Sequence, residues 1–368
     1  MITILKGKTH HFNASENMKS FEKNYLKRLS ISHSLLKTIR ALGEYKGKED
    51  LYKEQIPQAL ETLKQVAIIQ STESSNRIEG VTASLKRIQA LINDKTDPRN
   101  RSEQEIAGYR DVLNIIHANY AYIPFTTNVV LQFHRDLYKY MGDVGGTWKS
   151  VDNVIEEAHP DGTTFVRFKP VPAFATSLYM GELHNYFNKL WDDAEIDKLI
   201  LIPAYALDFL SIHPFKDGNG RMVRLLTLLL LYHAGIQVGR YISLEKIIEQ
   251  SKESYYEALW LSSQGWHEGQ HDVMPWIEYF LGVLLAAYKE FEERVGMLTV
   301  ARGAKTEMIL GAIKSLPNDF RMVELERLCP NVTRDMIRVV LKKLKKEGKV
   351  WCEGAGAGSC WKKRGNKS

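Results

Sequence analysis

The chain has 368 residues, 44% hydrophobic and 10% aromatic, which is enough apolar material for two or three buried cores. Its formal charge of +6 is uneven: residues 301–368 carry 16 Lys and Arg against 7 Asp and Glu, a net of +9, and residues 1–300 carry 34 against 37, a net of −3. The longest apolar run, Leu225 to Leu231, is far short of the roughly 18 residues a membrane span needs, and "MITILKGKTHHFN" has no apolar stretch ahead of small residues, so a cytoplasmic protein without membrane contact is expected. Cys329, Cys352 and Cys360 are too few and too irregularly spaced for a disulfide framework or a four-ligand zinc site, which fits a reducing compartment.

Apolar residues recur at helical spacing almost everywhere up to about residue 295, and the bulk of the chain is expected to be mainly α. "FEKNYLKRLSISHSLLKTIRAL", "IPQALETLKQVAIIQ" and "IAGYRDVLNIIHANY" are examples of that spacing. The exception is residues 145–172, where β-branched and aromatic runs flank His159-Pro160-Asp161-Gly162 and predict a β-hairpin with Pro-Asp-Gly at the turn. Two apolar helices follow, Leu199 to Ile212 and Met222 to Tyr232, and then a long one in "DVMPWIEYFLGVLLAAYKEFEERV". Ahead of this last helix, His267-Glu268-Gly269-Gln270-His271 satisfies the HExxH pattern of zinc proteases. Gly265 and Gly269 deny it the continuous helix that zinc binding needs, and Asp272 with Pro275 reads as the next helix start, so the match is attributed to chance.

The tail reads as a winged helix-turn-helix. "KTEMILGAIKSL" and "MVELERLC" supply two helices, and Pro330-Asn331 a turn. "TRDMIRVVLKKLKKEGK" supplies a third, with Thr333 as N-cap, Ile337, Val340, Leu341 and Leu344 facing inward, and Gly348 closing it. "VWCEGAGAGSCWKK" would form two strands and a glycine-rich wing. Arg334, Arg338, Lys342, Lys345 and Lys346 fall on the outward side, where they would follow DNA phosphates or form the soluble face of a protein-docking domain.

The chemistry concentrates in "SIHPFKDGNGRMVR", Ser211 to Arg224, between the two apolar helices. Gly218, Asn219 and Gly220 open the second helix, where backbone N–H groups favour an anion such as a phosphate. Asp217 can hold Mg²⁺ against phosphates, since that ion takes one or two carboxylates and completes its shell with water and phosphate oxygens. Arg221 and Arg224, three apart, share a helix face and can fork onto further phosphate oxygens. His213 stands just before the turn and has the right strength to take a hydroxyl proton.

These residues resemble the signature of the Fic family, HxFx(D/E)GNGRxxR, at every defined position. The resemblance implies an all-α Fic-type core with a β-hairpin flap and transfer of AMP from ATP to a Ser, Thr or Tyr hydroxyl of a target protein. It implies His213 as general base, Asp217 as Mg²⁺ ligand, Gly218 to Arg221 as the hole for the α- and β-phosphates, Arg224 as the γ-phosphate clamp and Phe215 as the anchor of the loop. Gly220, where phosphorylating relatives have lysine, implies nucleotidyl transfer. "SSNRIEGV", Ser74 to Val81, resembles the family's inhibitory motif (S/T)xxxE(G/N), with Ser75 and Glu79 four apart; a carboxylate forked onto Arg224 would take the place of the γ-phosphate. Residues 145–172 resemble the flap that pairs with the target, loosely, since Trp148, Asn153, Val154 and Ile155 correspond but Lys149 stands where many relatives have arginine. "SYYEAL" resembles the segment lining the adenine pocket, with Tyr255 or Tyr256 on the base.

The expected organisation is an N-terminal helical region with the inhibitory motif at 1–100, a catalytic core at 101–298 and the winged helix at 299–368. ATP, a target protein and DNA or a protein at the basic tail are the expected partners, with a homodimer left open. Two other functions fit the same residues: a DNA-binding regulator whose site senses ATP, and an enzyme removing AMP with Glu79 orienting the attacking water.

Overall fold

The computed structural model of the chain describes residues 19–22, 24–92, 96–142, 145–158, 164–300, 304–329, 332–354 and 359–364. In chain order its elements are α1 (His33–Gln55), α2 (Pro57–Ile78), α3 (Leu85–Ile92), α4 (Arg101–Asn119), α5 (Thr127–Leu137), β1 (Ile155–Ala158), β2 (Thr164–Phe168), α6 (Ala173–Asp193), α7 (Lys198–Ile212) and α8 (Asn219–His233). They continue as α9 (Leu244–Gln250), α10 (Lys252–Ser263), α11 (Met274–Val300), α12 (Ala304–Ser315), β3 (Asp319–Arg321), α13 (Met322–Leu328), α14 (Arg334–Lys346), β4 (Val350–Glu353) and β5 (Cys360–Lys363). The chain divides into two compact units. One holds the described residues up to His33 with Thr72–Gly235 and Ile248–Leu281; the other holds Ser34–Ser71, Ile236–Ile247 and the described residues from Gly282 onward.

In the first unit, α7 and α8 are apolar on nearly every side and therefore sit inside it. Ile200 to Phe209 on α7 and Leu225 to Leu231 on α8 are buried except for Thr227. Helix α7 packs on α6, α8 and α10, and α8 also meets α4 and α5. A polar loop joining two such helices is thus held on several sides by helices that cannot shift without opening the core. Strands β1 and β2 pair antiparallel with Glu156 opposite Val166, and a bulge follows Ile155. The turn expected at Pro160-Asp161-Gly162 lies outside the described residues.

One helix is shorter than its pattern. The spacing from Phe21 to Leu42 suggests a single helix, but only a 3₁₀ turn at Leu26–Arg28 forms before His33. Asn24 adopts a positive φ of 60 and Leu29 turns extended at ψ 132, so the backbone leaves the helical region twice while Phe21 and Leu26 still bury their side chains. The HExxH stretch lies in turns. His267 Nε2 is 2.7 Å from the Lys169 carbonyl, and His271 Nε2 is 2.9 Å from the buried Ser20 hydroxyl. Asp272 Oδ1 accepts from Met274 N at the start of α11.

Within the second unit, α12 packs on α13 and α14, and α14 packs on β4. Helix α14 is capped by the Thr333 hydroxyl, buries Ile337, Val340, Leu341 and Leu344, and ends before Gly348 at φ 70. Its Arg and Lys side chains are exposed. Strand β3 has no counterpart in the sequence reading: it pairs with β5, giving a three-stranded antiparallel sheet in the order β3-β5-β4. The Pro330-Asn331 turn and residues 355–358 of the glycine-rich loop lie outside the described residues.

Candidate active site

The loop between α7 and α8 is stapled from within. Asn219, first residue of α8, accepts from Phe215 N through Oδ1 (2.9 Å) and donates to Phe215 O through Nδ2 (2.8 Å). Its side chain thus shapes the loop, and its backbone N–H is the part left for a ligand. Phe215 is fully buried and lies flat on the His134 ring, centroids 3.7 Å apart. His134 accepts from Gly146 N at Nδ1 (2.9 Å), which leaves Nε2–H to donate to the Asp217 carbonyl (3.1 Å). Burial pushes His134 down to about 4, so it stays neutral and keeps that tautomer.

Gly218 precedes α8 at φ 82, and a side chain there would also run into the Tyr138 hydroxyl, 2.9 Å from where a Cβ would lie. The first N–H groups of α8 have no helical acceptor and carry the positive end of the helix dipole. Asp217 sits beside them, its side chain 55% exposed, with Oδ1 accepting from Gly218 N and Oδ2 3.6 Å from Arg101 Nη2. No group of three or more His, Cys, Asp or Glu side chains placed to hold a metal occurs among the described residues. A single half-exposed carboxylate at a helix N-terminus fits Mg²⁺ specifically in company with phosphate oxygens and water.

Arg221 and Arg224 share a face of α8 but have different companions. Arg221 is buried; Nη1 bonds Glu105 Oε2 on α4 at 2.6 Å and Nη2 bonds the Tyr138 hydroxyl at 2.9 Å. Arg224 donates from Nε to Ser75 Oγ (2.9 Å), and from Nη2 to the Ser75 carbonyl (2.9 Å) and Glu79 Oε1 (2.8 Å). Glu79 therefore meets Arg224 through one oxygen, where a two-oxygen fork was expected. The reason is local: α2 ends at Ile78, Glu79 lies in the following turn with Gly80 at φ 79, and the Ser75 carbonyl takes part of the guanidinium edge. The Glu79 carboxylate, with its neighbours, holds Arg224 above the ordinary arginine range despite burial.

Glu79, His213 and Gly220 line one cleft of about 1010 Å³ together with Arg167, Tyr255 and Tyr256. Tyr255 is buried and packs at a steep angle to Trp276 and Tyr279. Tyr256 is half-buried, with the Arg167 guanidinium 5.8 Å from its centroid. Lys252 Nζ lies at the same distance, and of the two cleft-lining tyrosines Tyr256 is the more exposed.

His213 ends α7 in the left-handed region at φ 50, its N–H bonded to the Phe209 carbonyl. Nδ1 lies 3.3 Å from the Leu210 carbonyl, which favours the tautomer with Nε2 unprotonated. Desolvation first, and the Lys149 charge second, push it down to about 4, which favours the neutral imidazole at neutral pH, with Nε2 free to accept a proton. The sequence pattern singled out neither Glu105, Tyr138 nor His134, although all three brace the loop. Glu105 and His134 lie on α4 and α5 and Tyr138 just after α5, and nothing local marks these polar residues as inward-facing.

Residues 124–231 match the model of the Fic/DOC family. The "Protein adenylyltransferase Fic" of Drosophila willistoni is 25% identical over 256 residues, 65% of this chain and 46% of that protein. The protein of the same name from Culex quinquefasciatus is 26% identical over 223 residues, 58% of this chain and 39% of that one, so the chain spans less than half the length of these curated relatives. Among solved structures, a Fic family protein from Desulfovibrio desulfuricans superposes with a TM-score of 0.60 at 20% identity, covering 92% of this chain and 98% of that one. A Fic-domain-containing signaling protein from Bacteroides thetaiotaomicron gives 0.56 at 18%, covering 68% and 94%. At such identities the structural likeness establishes the fold. Together these matches support a Fic/DOC-family domain in the chain, built around the loop between α7 and α8.

Proposed function

We propose that the chain is a protein adenylyltransferase, moving AMP from ATP to a Ser, Thr or Tyr hydroxyl of a target protein and restrained by its own Glu79. The observation that carries this reading is the convergence on one cleft of His213, the α8 N-terminus and a glutamate seated on Arg224. In the proposed reaction the target hydroxyl attacks the α-phosphorus of ATP in line, His213 Nε2 takes the hydroxyl proton, and pyrophosphate leaves. The backbone N–H groups from Gly218 to Arg221 receive the phosphate oxygens, and Arg224 receives the γ-phosphate once Glu79 has left it. Mg²⁺ bound at Asp217 would neutralise charge on the leaving pyrophosphate. Tyr256 would stack on the adenine, and the free edges of the β1–β2 hairpin would pair with an extended target segment.

Glu79→Gly incubated with ATP and MgCl₂ should gain the mass of AMP on itself or on added target by intact mass spectrometry, well above wild type. No added mass with any nucleoside triphosphate would overturn the reading. In the Glu79→Gly background, His213→Ala should lower transfer by about 10²–10⁴-fold. If the Glu79→Gly protein instead removes AMP from a modified target faster than it adds it, the reaction runs in the opposite sense.

A second reading concerns the tail. The order α12-β3-α13-α14-β4-β5, with sheet order β3-β5-β4, supports a winged helix-turn-helix at 299–368. The exposed Lys342, Lys345 and Lys346 on α14 support contact with a DNA backbone. Gel shift of a duplex should weaken steeply with salt and be lost in Lys342→Glu with Lys346→Glu; binding indifferent to both would leave a protein partner as the reading.

A further inference from the structure

His213 occupies a backbone position that ordinarily suits glycine. At the end of α7 its φ is 50, a region that a non-glycine residue keeps only where the surroundings over-determine it. The carbonyls around it also need partners, since the last C=O groups of a helix have no helical donor. Both needs are met from one short segment ahead of the hairpin. Lys149 Nζ donates to the Ile212 carbonyl at 3.1 Å, just before His213, and Lys149 N donates to the Pro214 carbonyl at 2.9 Å, just after it. Asn153 Nδ2 donates to the Phe215 carbonyl at 3.1 Å, and Asn153 Oδ1 accepts from Lys149 Nζ at 2.8 Å, joining the two side chains into one brace.

We propose that Lys149 and Asn153 are positioning residues that clamp the backbone on both sides of His213 and so aim its imidazole for proton transfer. This rests on the adenylyltransferase reading for the reaction, but the clamp can be read without it. Lys149 is buried, which is uncommon for a lysine outside a specific set of partners. Its ammonium at the C-terminal end of α7 also complements the helix dipole. The charge has a second consequence. Of the charged groups bearing on the imidazole, Lys149 disfavours the imidazolium, whereas Glu79 from the turn after α2 and Asp217 from the loop itself favour it; Arg167, Lys252, Glu156, Glu253 and Glu257 also line the cleft. Lys149 thus opposes the two carboxylates and keeps His213 a free base. Burial pulls the lysine itself down to about 8, so this support weakens as pH rises past that value.

The test uses the full chain carrying Glu79→Gly, with Lys149→Met, Lys149→Arg and Asn153→Ala added singly. Lys149→Met should lower kcat about 10–100-fold, the scale of a misplaced catalytic group, with the KM for ATP changed less than about twofold. The acid limb of its pH profile should move to higher pH, because the charge that disfavours imidazolium is gone. Lys149→Arg should restore the acid limb and most of kcat. Unchanged kcat, or a loss in KM alone, or an acid limb that stays in place in Lys149→Met, would overturn the proposal. NMR titration of the His213 ring without nucleotide should show the same upward movement in Lys149→Met and not in Lys149→Arg. That readout needs no turnover, so it still tests the coupling of Lys149 to His213 if the Glu79→Gly protein transfers no AMP and the functional reading fails. Should Lys149→Met not fold, Asn153→Ala removes the brace while keeping the charge: kcat should fall with the acid limb in place, and an unchanged kcat would overturn the clamp.

Discussion

Arg221 and Arg224 lie one turn apart on α8, carry the same group and are both buried, yet they face two different regions of the first unit. Arg221 looks toward α4 and α5, where Glu105 comes from the second turn of α4 and Tyr138 from the residue that closes α5. Glu105 has a second bond, to Arg101 Nε at 2.9 Å, so the pair is one link of a chain. Arg224 looks toward the end of α2, where Glu79 sits in a turn with its side chain 31% exposed and touches the guanidinium through one oxygen. The two ion pairs differ less in chemistry than in what holds the carboxylate. One acid is buried along with its arginine; the other belongs to a turn, is partly exposed, and can swing away while the buried Arg224 keeps Ser75.

That contrast can be broken experimentally. The largest effect is expected from Glu105→Ala, which should cost about 3–5 kcal/mol of stability by denaturant titration, since the buried Arg221 would keep only the Tyr138 hydroxyl and the half-exposed Asp217, 3.8 Å away. Glu79→Ala should cost less, about 1–3 kcal/mol, because the buried Arg224 keeps its two bonds to Ser75, while ATP affinity by calorimetry rises. A loss from Glu79→Ala as large as that from Glu105→Ala would erase the distinction. Tyr138→Phe, which removes one hydrogen bond from Arg221, should cost about 1–3 kcal/mol.

The smallest effect is one of slope. His134 braces the loop from the Arg221 side and sits at about 4 in the fold, below its ordinary 6.5. A depressed value means that its contribution is fully present above 6.5 and is lost as pH falls toward and through 4. His134→Gln should therefore flatten the fall of melting temperature between those limits, whatever it does to stability at pH 7.

Much of this site is legible in the chain because it is contiguous. "HPFKDGNGRMVR" puts His213, Asp217, the glycines and both arginines into one loop and one helix start, and the spacing of Ser75 and Glu79 brings both to Arg224. The inward face of α14 is legible for the same reason, since four apolar residues at helical spacing can only share a side. What escapes the sequence is whatever depends on distant partners or on breaks in a pattern. Glu105 is one acid among several on α4 and is paired with Arg221 only through tertiary packing. The role of Lys149 depends on carbonyls more than sixty residues later, and a residue's own identity does not say which carbonyls it will meet. Strand β3 is three residues long, too short for any alternation to appear. The spacing from Phe21 to Leu42 shows which side chains are buried and is blind to the backbone departure at Asn24 between them.

Gly220 ties these regions together in heredity as well as in space. A Cβ at that position would stand 2.2 Å from Glu79 Oε1 and 3.2 Å from Arg224 Nη1. Any mutation that gives residue 220 a side chain must therefore displace the glutamate from its seat in the same event that alters the proposed phosphate nest. On the proposed function, restraint and catalysis cannot drift apart through this residue: a single codon change there tests both, and a lineage keeping one through it keeps the other.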